Sequence, residues 1–144
     1  MQENGALYFI QPKQEFKNKI ERCKLSYDIT YLTTKDSIVL NFTYSDNTIR
    51  VIDSISFIQG NKRISSNTKK IFIETDKELW KHRYSAKFLY NDINSIFKQE
   101  KKPTVLIYYE SKTMQLDIKN SKWKKKSEIM SKILTLIEAN IKNP

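Results

Sequence analysis

Regular alternation of apolar and polar residues is the feature that most constrains the fold of this chain. Every second residue from Leu25 to Tyr31 is apolar, and the same holds from Ile38 to Tyr44. Because successive side chains of a strand point to opposite faces, this period predicts strands with one buried face. Polar clusters such as residues 59–62 separate the apolar rows and are typical of tight turns. The pattern therefore predicts a series of antiparallel hairpins.

Helical periodicity dominates two stretches in the second half of the chain. Apolar residues recur every three to four positions between Ala86 and Phe97, and Ser85 is a candidate N-cap. A wider apolar stripe predicts a long C-terminal helix, because a stripe of that width suits packing on a sheet. Its apolar positions are Ile129, Met130, Ile133, Leu134, Leu136, Ile137 and Ile141.

The order of these elements predicts the α+β class. About seven strands in antiparallel hairpins are expected to form a strongly curved sheet or a small open barrel. A short helix is inserted before the last hairpin, and the long C-terminal helix packs on the sheet. Residues 13–24 are charged with apolar positions at helical spacing, which predicts a short helix or an ordered loop. The length of 144 residues and the scarcity of glycine predict a single small soluble α+β domain spanning residues 1–144.

The chain is strongly basic, with a formal net charge of +10. The region from Lys98 to Lys126 holds nine lysines against three acidic residues, so it carries +6 of that excess. A positive surface attracts nucleic acid, acidic polysaccharide or anionic lipid. A coding bias towards lysine, asparagine and isoleucine would produce the same excess without any partner.

The sharpest part of this basic region lies around a single tryptophan. The candidate residues for binding an anion or another partner are Lys119, Lys122, Trp123, Lys124, Lys125 and Lys126. Trp123 would stack on a base or lie at a lipid interface, or it would pack under the sheet beside solvated lysines. Cations in the first turn of a helix oppose its dipole. Either the helix begins later, with Ser127 as its cap, or the lysines serve a partner.

A second polar and aromatic cluster lies in a predicted strand, where Trp80, His82 and Tyr84 share one face. These residues are a possible patch for an anionic or sugar-like ligand, with His82 as a hydrogen-bonding group. The alternative is an aromatic row at the edge of the core, in which His82 bonds to a backbone group.

A single cysteine and a single histidine restrict the chemistry available to the chain. Cys23 with His82 is the sole candidate thiol dyad, and cations beside Cys23 would lower its pKa; otherwise Cys23 is a packing residue. The sequence has no glycine-rich phosphate loop and no cysteine or histidine metal cluster. We therefore predict no catalytic, metal-binding or cofactor-binding residue and expect no cofactor.

The N-terminal residues Met1–Gly5 lack the features of a signal peptide, and no apolar run approaches the ~20 residues of a membrane span. The chain is predicted to be either cytoplasmic or a mature exported or periplasmic segment whose signal was removed. Polar residues on the strand faces favour the exported alternative.

Three functions remain open at this point, in the following order. The first is a non-catalytic binding or interaction domain, exported under the alternative favoured above, that meets an unknown protein partner through a sheet face or edge. The second is an anion-binding module that uses the region from Lys98 to Lys126. The third is a metal-dependent phosphodiesterase, because Glu110 and Lys112 follow an apolar strand as in some nucleases. The same acid-x-lysine spacing recurs at three other places in the chain, as chance would produce.

Overall fold

A computed structural model describes residues 5–11, 15–33 and 35–142, with residues 140–142 described for the backbone alone. In these ranges the chain forms nine strands and two helices. The strands are β1 (Leu7–Ile10), β2 (Glu15–Asn18), β3 (Cys23–Leu32), β4 (Ser37–Asp46), β5 (Ile52–Gln59), β6 (Lys62–Asp76), β7 (Leu79–Leu89), β8 (Thr104–Tyr109) and β9 (Lys112–Leu116). The helices are α1 (Tyr90–Phe97) and α2 (Asn120–Lys142).

The strands form one open sheet in which the paired strands run antiparallel. Their order is β1-β3-β4-β7-β6-β5-β8-β9, and β2 pairs with β3 beside β1. One further bridge joins Lys17 of β2 to Asp117, the residue that follows β9. Two backbone hydrogen bonds form it, with N···O distances of 2.8 and 2.9 Å between the two residues. The two margins of the sheet are therefore in contact at this point.

The alternating rows in the sequence correspond to β3 and β4, as predicted. The apolar positions of both rows are buried, and the strands pair so that Tyr27 lies opposite Phe42. The antiparallel sheet and the C-terminal helix are thus confirmed, while the described chain has nine strands instead of about seven.

Two local predictions were wrong. The segment expected as a short helix or ordered loop contains β2, in which Phe16 is fully buried opposite Leu25; residues 13 and 14 of that segment lie outside the described residues. Ser85 is not a helix cap, because β7 continues to Leu89 and α1 begins only at Tyr90. Pairing with β4 keeps residues 85–89 extended, so Ala86 is buried in the sheet. The later part of the predicted helical stripe is confirmed, because Ile93, Ile96 and Phe97 are buried on α1.

Four aromatic rings connect the sheet margin to both helices, and we call them the aromatic cluster: Phe16, Tyr27, Phe97 and Trp123. Trp123 is 1% exposed and stacks on Phe97, with ring centroids 5.4 Å apart. Its indole nitrogen donates a hydrogen bond of 3.1 Å to the carbonyl of Gln99. Aromatic pairs of this kind add about 0.5–1.5 kcal/mol beyond the burial of their area.

Helix α2 buries a narrower stripe than the sequence suggested. Met130, Leu134 and Ile137 are buried, whereas Ile129 and Leu136 are largely exposed. The side chain of Ile141 lies outside the described residues. Neither helix in the described ranges is long and apolar enough to cross a membrane.

Replacing the buried indole is expected to destabilise the fold strongly. We predict that Trp123→Ala lowers the free energy of unfolding by about 3–5 kcal/mol, the range for deleting a large buried aromatic ring. Leu136→Ala on the same helix should change it by less than about 0.5 kcal/mol, because its side chain is 66% exposed. Urea unfolding followed by circular dichroism measures both. Equal losses in the two variants would contradict the central role of the aromatic cluster.

Candidate functional site

A groove of about 770 Å³ lies where β2 meets the chain that follows β9. Its described lining residues are Glu15, Lys17, Asn18, Lys19, Ile20, Lys102, Gln115, Asp117, Ile118, Lys119 and Lys122. Five of these residues are lysines and two are acidic, so the lining carries a formal charge of +3. We call this feature the basic groove.

The walls of the basic groove are held together by hydrogen bonds between distant parts of the chain. Beside the bridge of Lys17 and Asp117, the side-chain amide of Asn18 donates a hydrogen bond of 2.9 Å to the carbonyl of Gln115. The carboxylate of Asp117 accepts from the Thr104 hydroxyl at 3.1 Å and from the Gln115 amide at 3.2 Å. These bonds connect β2, β8 and β9 directly beneath the lysines.

The rim of the groove is a turn shaped by Asn18. Its side-chain oxygen accepts hydrogen bonds from the backbone N–H groups of Ile20 at 3.1 Å and Glu21 at 3.0 Å. Asparagine often makes such bonds in turns, where its short side chain replaces a backbone partner. The turn presents Lys19 and a 90% exposed Ile20 at the opening of the groove.

The positive charge in the groove is largely uncompensated. Lys17 forms an exposed ion pair with Glu15, with 3.3 Å between nitrogen and oxygen. Within the described ranges, none of the other groove lysines lies within 4.0 Å of a carboxylate oxygen. The contacts of Asp117 are with neutral donors and a backbone group. The groove therefore offers several lysine ammonium groups to an anion.

Helix α2 begins earlier than a helix capped by Ser127 would. Its first residue is Asn120, so the run from Lys122 to Lys126 lies inside the first two turns, and the first turn holds no acidic residue. The Ser127 hydroxyl instead donates to the carbonyl of Lys124 within the helix. Of the two alternatives drawn from the sequence, the later helix start is wrong. An exposed cation in the first turn of a helix typically lowers the stability of the helix by ~0.3–1 kcal/mol.

The structure divides the candidate lysines of the sequence into separate groups. Lys119 and Lys122 line the basic groove. Lys124 lines a second, smaller depression of about 310 Å³ that also contains Glu100 and Glu128. Lys125 and Lys126 line neither. The basic region therefore does not converge as a whole on one site.

Sequence reasoning missed Lys17 and Lys19, which lie on the opposite wall of the groove. Their sequence distance from the basic region gave no signal, because only the pairing of β2 with the end of β9 brings them there. Trp123, in contrast, is not in the groove. Its ring is buried in the aromatic cluster and has no free face for a base or a lipid.

The second candidate patch is largely internal. Tyr84 is 3% exposed, His82 is completely buried, and Trp80 is partly exposed. His82 Nε2 accepts a 2.8 Å hydrogen bond from the backbone N–H of Arg50. Its other ring nitrogen must then carry the proton, and it donates to the Tyr44 carbonyl at 2.9 Å. Both nitrogens of His82 are thus engaged by the backbone.

A buried polar cluster lies beside His82. The carboxylate of Asp46 is 2% exposed and accepts from the Tyr44 hydroxyl at 2.9 Å and from Arg50 Nε at 3.1 Å. The Arg50 guanidinium also lies 4.8 Å from the ring centre of Tyr109. Burial raises the pKa of the Tyr44 hydroxyl, so it stays protonated and remains a donor to Asp46. The buried carboxylate is thereby compensated, as a buried charge must be.

Cys23 does not form a dyad with His82. Its thiol is buried and lies 3.5 Å from the carbonyl of Glu21, while both nitrogens of His82 have other partners. Burial raises the pKa of Cys23, the opposite of the lowering expected from neighbouring cations. The structure therefore places Cys23 as a packing residue.

Glu110 lies in the tight turn between β8 and β9, with Lys112 the first residue of β9. Glu110 and Ser111 both have positive φ angles, 49° and 64°, which fits a two-residue hairpin turn. Glu110 and Lys112 are exposed at its tip. Among the described residues, no group of three or more His, Cys, Asp or Glu side chains is arranged to hold a metal ion.

The buried bonds of His82 lead to a prediction about stability. We expect His82→Leu to lower the free energy of unfolding by about 2–4 kcal/mol, because it leaves the Arg50 N–H and the Tyr44 carbonyl without this partner. Lys81→Leu, one residue earlier on β7, should cost less than about 1 kcal/mol, since it removes only an exposed ion pair. Chemical denaturation of both variants is the measurement, and equal stabilities would contradict a structural role for His82.

Comparison with known proteins gives no relative from which a role of these residues could be transferred. No protein-family model, no curated protein and no solved structure matches this chain. Any function must therefore be argued from the groove and the surfaces of the molecule itself.

Proposed function

We propose that the chain is a non-catalytic binding module that holds a linear polyanion in the basic groove. The observation that carries this proposal is the convergence of five lysines, from both sides of the sheet margin and from α2, on one recess. A phosphate-bearing or sulfate-bearing chain brings repeated negative charges into such a recess and releases its counterions on binding.

The side chains of the groove favour recognition of charge over recognition of shape. Lysine is a point charge on a flexible stem, whereas arginine offers a planar fork that fits one phosphate or one guanine edge. The cations that line the groove are all lysines, and none of its described lining residues is aromatic. Base stacking, the usual source of affinity for unpaired nucleotides, is therefore not expected. We infer that affinity follows charge density and is nearly independent of nucleotide sequence.

The position of the lysines on α2 supports the same proposal. A helix would be more stable with acidic residues in its first turn, yet Lys122 lies there and lysines continue through the second turn. A bound anion near this end would remove the unfavourable interaction with the helix dipole. The two groove carboxylates bond to Lys17 and to neutral donors, an arrangement that suits fixing the groove walls.

A pair of matched variants tests the proposal. Lys119→Gln/Lys122→Gln removes two groove charges, and Lys124→Gln/Lys125→Gln removes two charges from α2 outside the groove. We expect the groove variant to bind a fluorescent oligo-dT at least about tenfold more weakly, and the other variant to change affinity by less than about threefold. Fluorescence anisotropy at low salt measures both.

The salt dependence gives an independent check. With five lysine contacts to a single strand, log K against log salt should have a slope of about −3.5, falling to about −2 in the groove variant. Heparin should compete with the oligonucleotide, because affinity for the groove is expected to depend on the negative charge of the polymer. Equal weakening in both variants would indicate diffuse attraction and would contradict the proposal. Binding to anionic lipid vesicles without binding to either polymer would contradict it as well.

A further inference from the structure

Half of β6 forms a free sheet edge. Ladder pairing with β5 ends at Asn67, which lies opposite Ser54. Beyond it, residues 68–76 pair with β7 alone within the described part of the chain. Among the residues that the structure describes, none pairs with the backbone donors and acceptors on the other side of this stretch, and such an open row accepts an additional strand. We call residues 68–76 the free edge.

The centre of the free edge is apolar and exposed. Ile71 is 50% and Phe72 is 45% exposed, and Ile71 is the extra residue of a bulge in the ladder with β7. Two more exposed apolar side chains, Ile49 and Val51, flank Arg50, whose N–H bonds to His82. The residue after Val51 contacts the start of the free edge, because its carbonyl accepts a 2.8 Å hydrogen bond from the Thr68 hydroxyl. Apolar area of this extent beside open backbone groups marks an interaction surface.

The charges of the free edge indicate what kind of strand fits it. Lys69 and Lys70 precede the apolar centre, and Glu74 and Asp76 follow it. An antiparallel strand of the same sequence, related by a twofold axis at Phe72, places Lys70 of each copy opposite Glu74 of the other. A parallel copy would place like charges opposite each other, which is unfavourable. The edge is thus complementary to itself in one orientation.

We propose that two copies of this chain associate through their free edges, with antiparallel pairing of β6. This inference is independent of the basic groove, because none of the described groove-lining residues belongs to β6. The lysines and the bulge have a second effect, since both features commonly protect an edge from indiscriminate pairing. They restrict addition to a strand with acids opposite the lysines, and a closed twofold pair leaves neither free edge open for further copies.

A charge-exchange experiment tests the pairing. Lys69→Glu/Lys70→Glu makes the free edge wholly acidic, and Glu74→Lys/Asp76→Lys makes it wholly basic. We expect the parent chain to dimerise with a dissociation constant in the micromolar to millimolar range, as suits a small interface. Each variant alone should self-associate at least about tenfold more weakly. An equimolar mixture of the two should form a heterodimer within about threefold of the parent affinity.

Sedimentation velocity over a concentration series, without any polyanion, measures all of these states. The matched control is Lys35→Glu/Lys87→Glu, which makes the same charge change at exposed positions outside β6. This control keeps the parent free edge, so it should homodimerise as the parent does. Mixed with the basic-edge variant, it should form no heterodimer, and the amount of dimer should equal that of the control alone. A parent chain that stays monomeric up to about 1 mM, or a mixture that stays monomeric, would overturn the proposal, and so would a parent dimer that both edge variants leave unchanged. Misfolding of the edge variants would not give this result, because two misfolded variants would not form a heterodimer when they are mixed.

Discussion

The burial of Phe16 against Trp123 is the contact on which the geometry of the groove depends. It fixes a short strand, β2, to a helix that begins more than a hundred residues later, with ring centroids 6.5 Å apart. Because neighbouring side chains of a strand point in opposite directions, an inward Phe16 turns Lys17 outward. The backbone of Lys17 then meets Asp117, and this bridge brings the two margins of the sheet together. One buried aromatic contact thus sets the width and the lining of the basic groove.

The same contact brings like charges together, and this has an energetic consequence. Lysines from β2, from the turn after it and from the start of α2 repel one another in the groove, and few carboxylates lie near enough to compensate. Folding must offset this repulsion with the burial of the aromatic cluster and of the apolar row on α2. This arrangement of charges lowers the stability of the fold, and a bound anion would relieve the repulsion. It is therefore stronger support for an anionic partner than the net charge of the chain, which a composition bias would also produce.

How much could be predicted from the sequence depended on the range of the interaction involved. The alternation in β3 and β4 is local and long enough to be recognised, so those strands and the antiparallel class were predictable. β2 is only four residues long, and its single buried aromatic residue, Phe16, resembled part of a helical pattern. The helical pattern at Ala86 was overridden by ladder pairing with β4. The groove could not be predicted, because Lys17 and Lys19 reach it only through tertiary pairing, and the same holds for the two backbone partners of His82.

The two proposed surfaces reinforce each other if both are used. The groove lies at the margin formed by β2 and β9. The free edge belongs to β6, which is separated from β9 by two strands and from β1 by three strands in the order of the sheet. A pair joined through β6 therefore keeps both grooves accessible and presents two of them to one polymer. Binding of the second groove is then intramolecular, and the affinity for a long polyanion rises without any new contact, provided that the polymer can span both sites. A short oligonucleotide that fills one groove gains nothing from the pairing, so the dependence of affinity on polymer length connects the two surfaces physically.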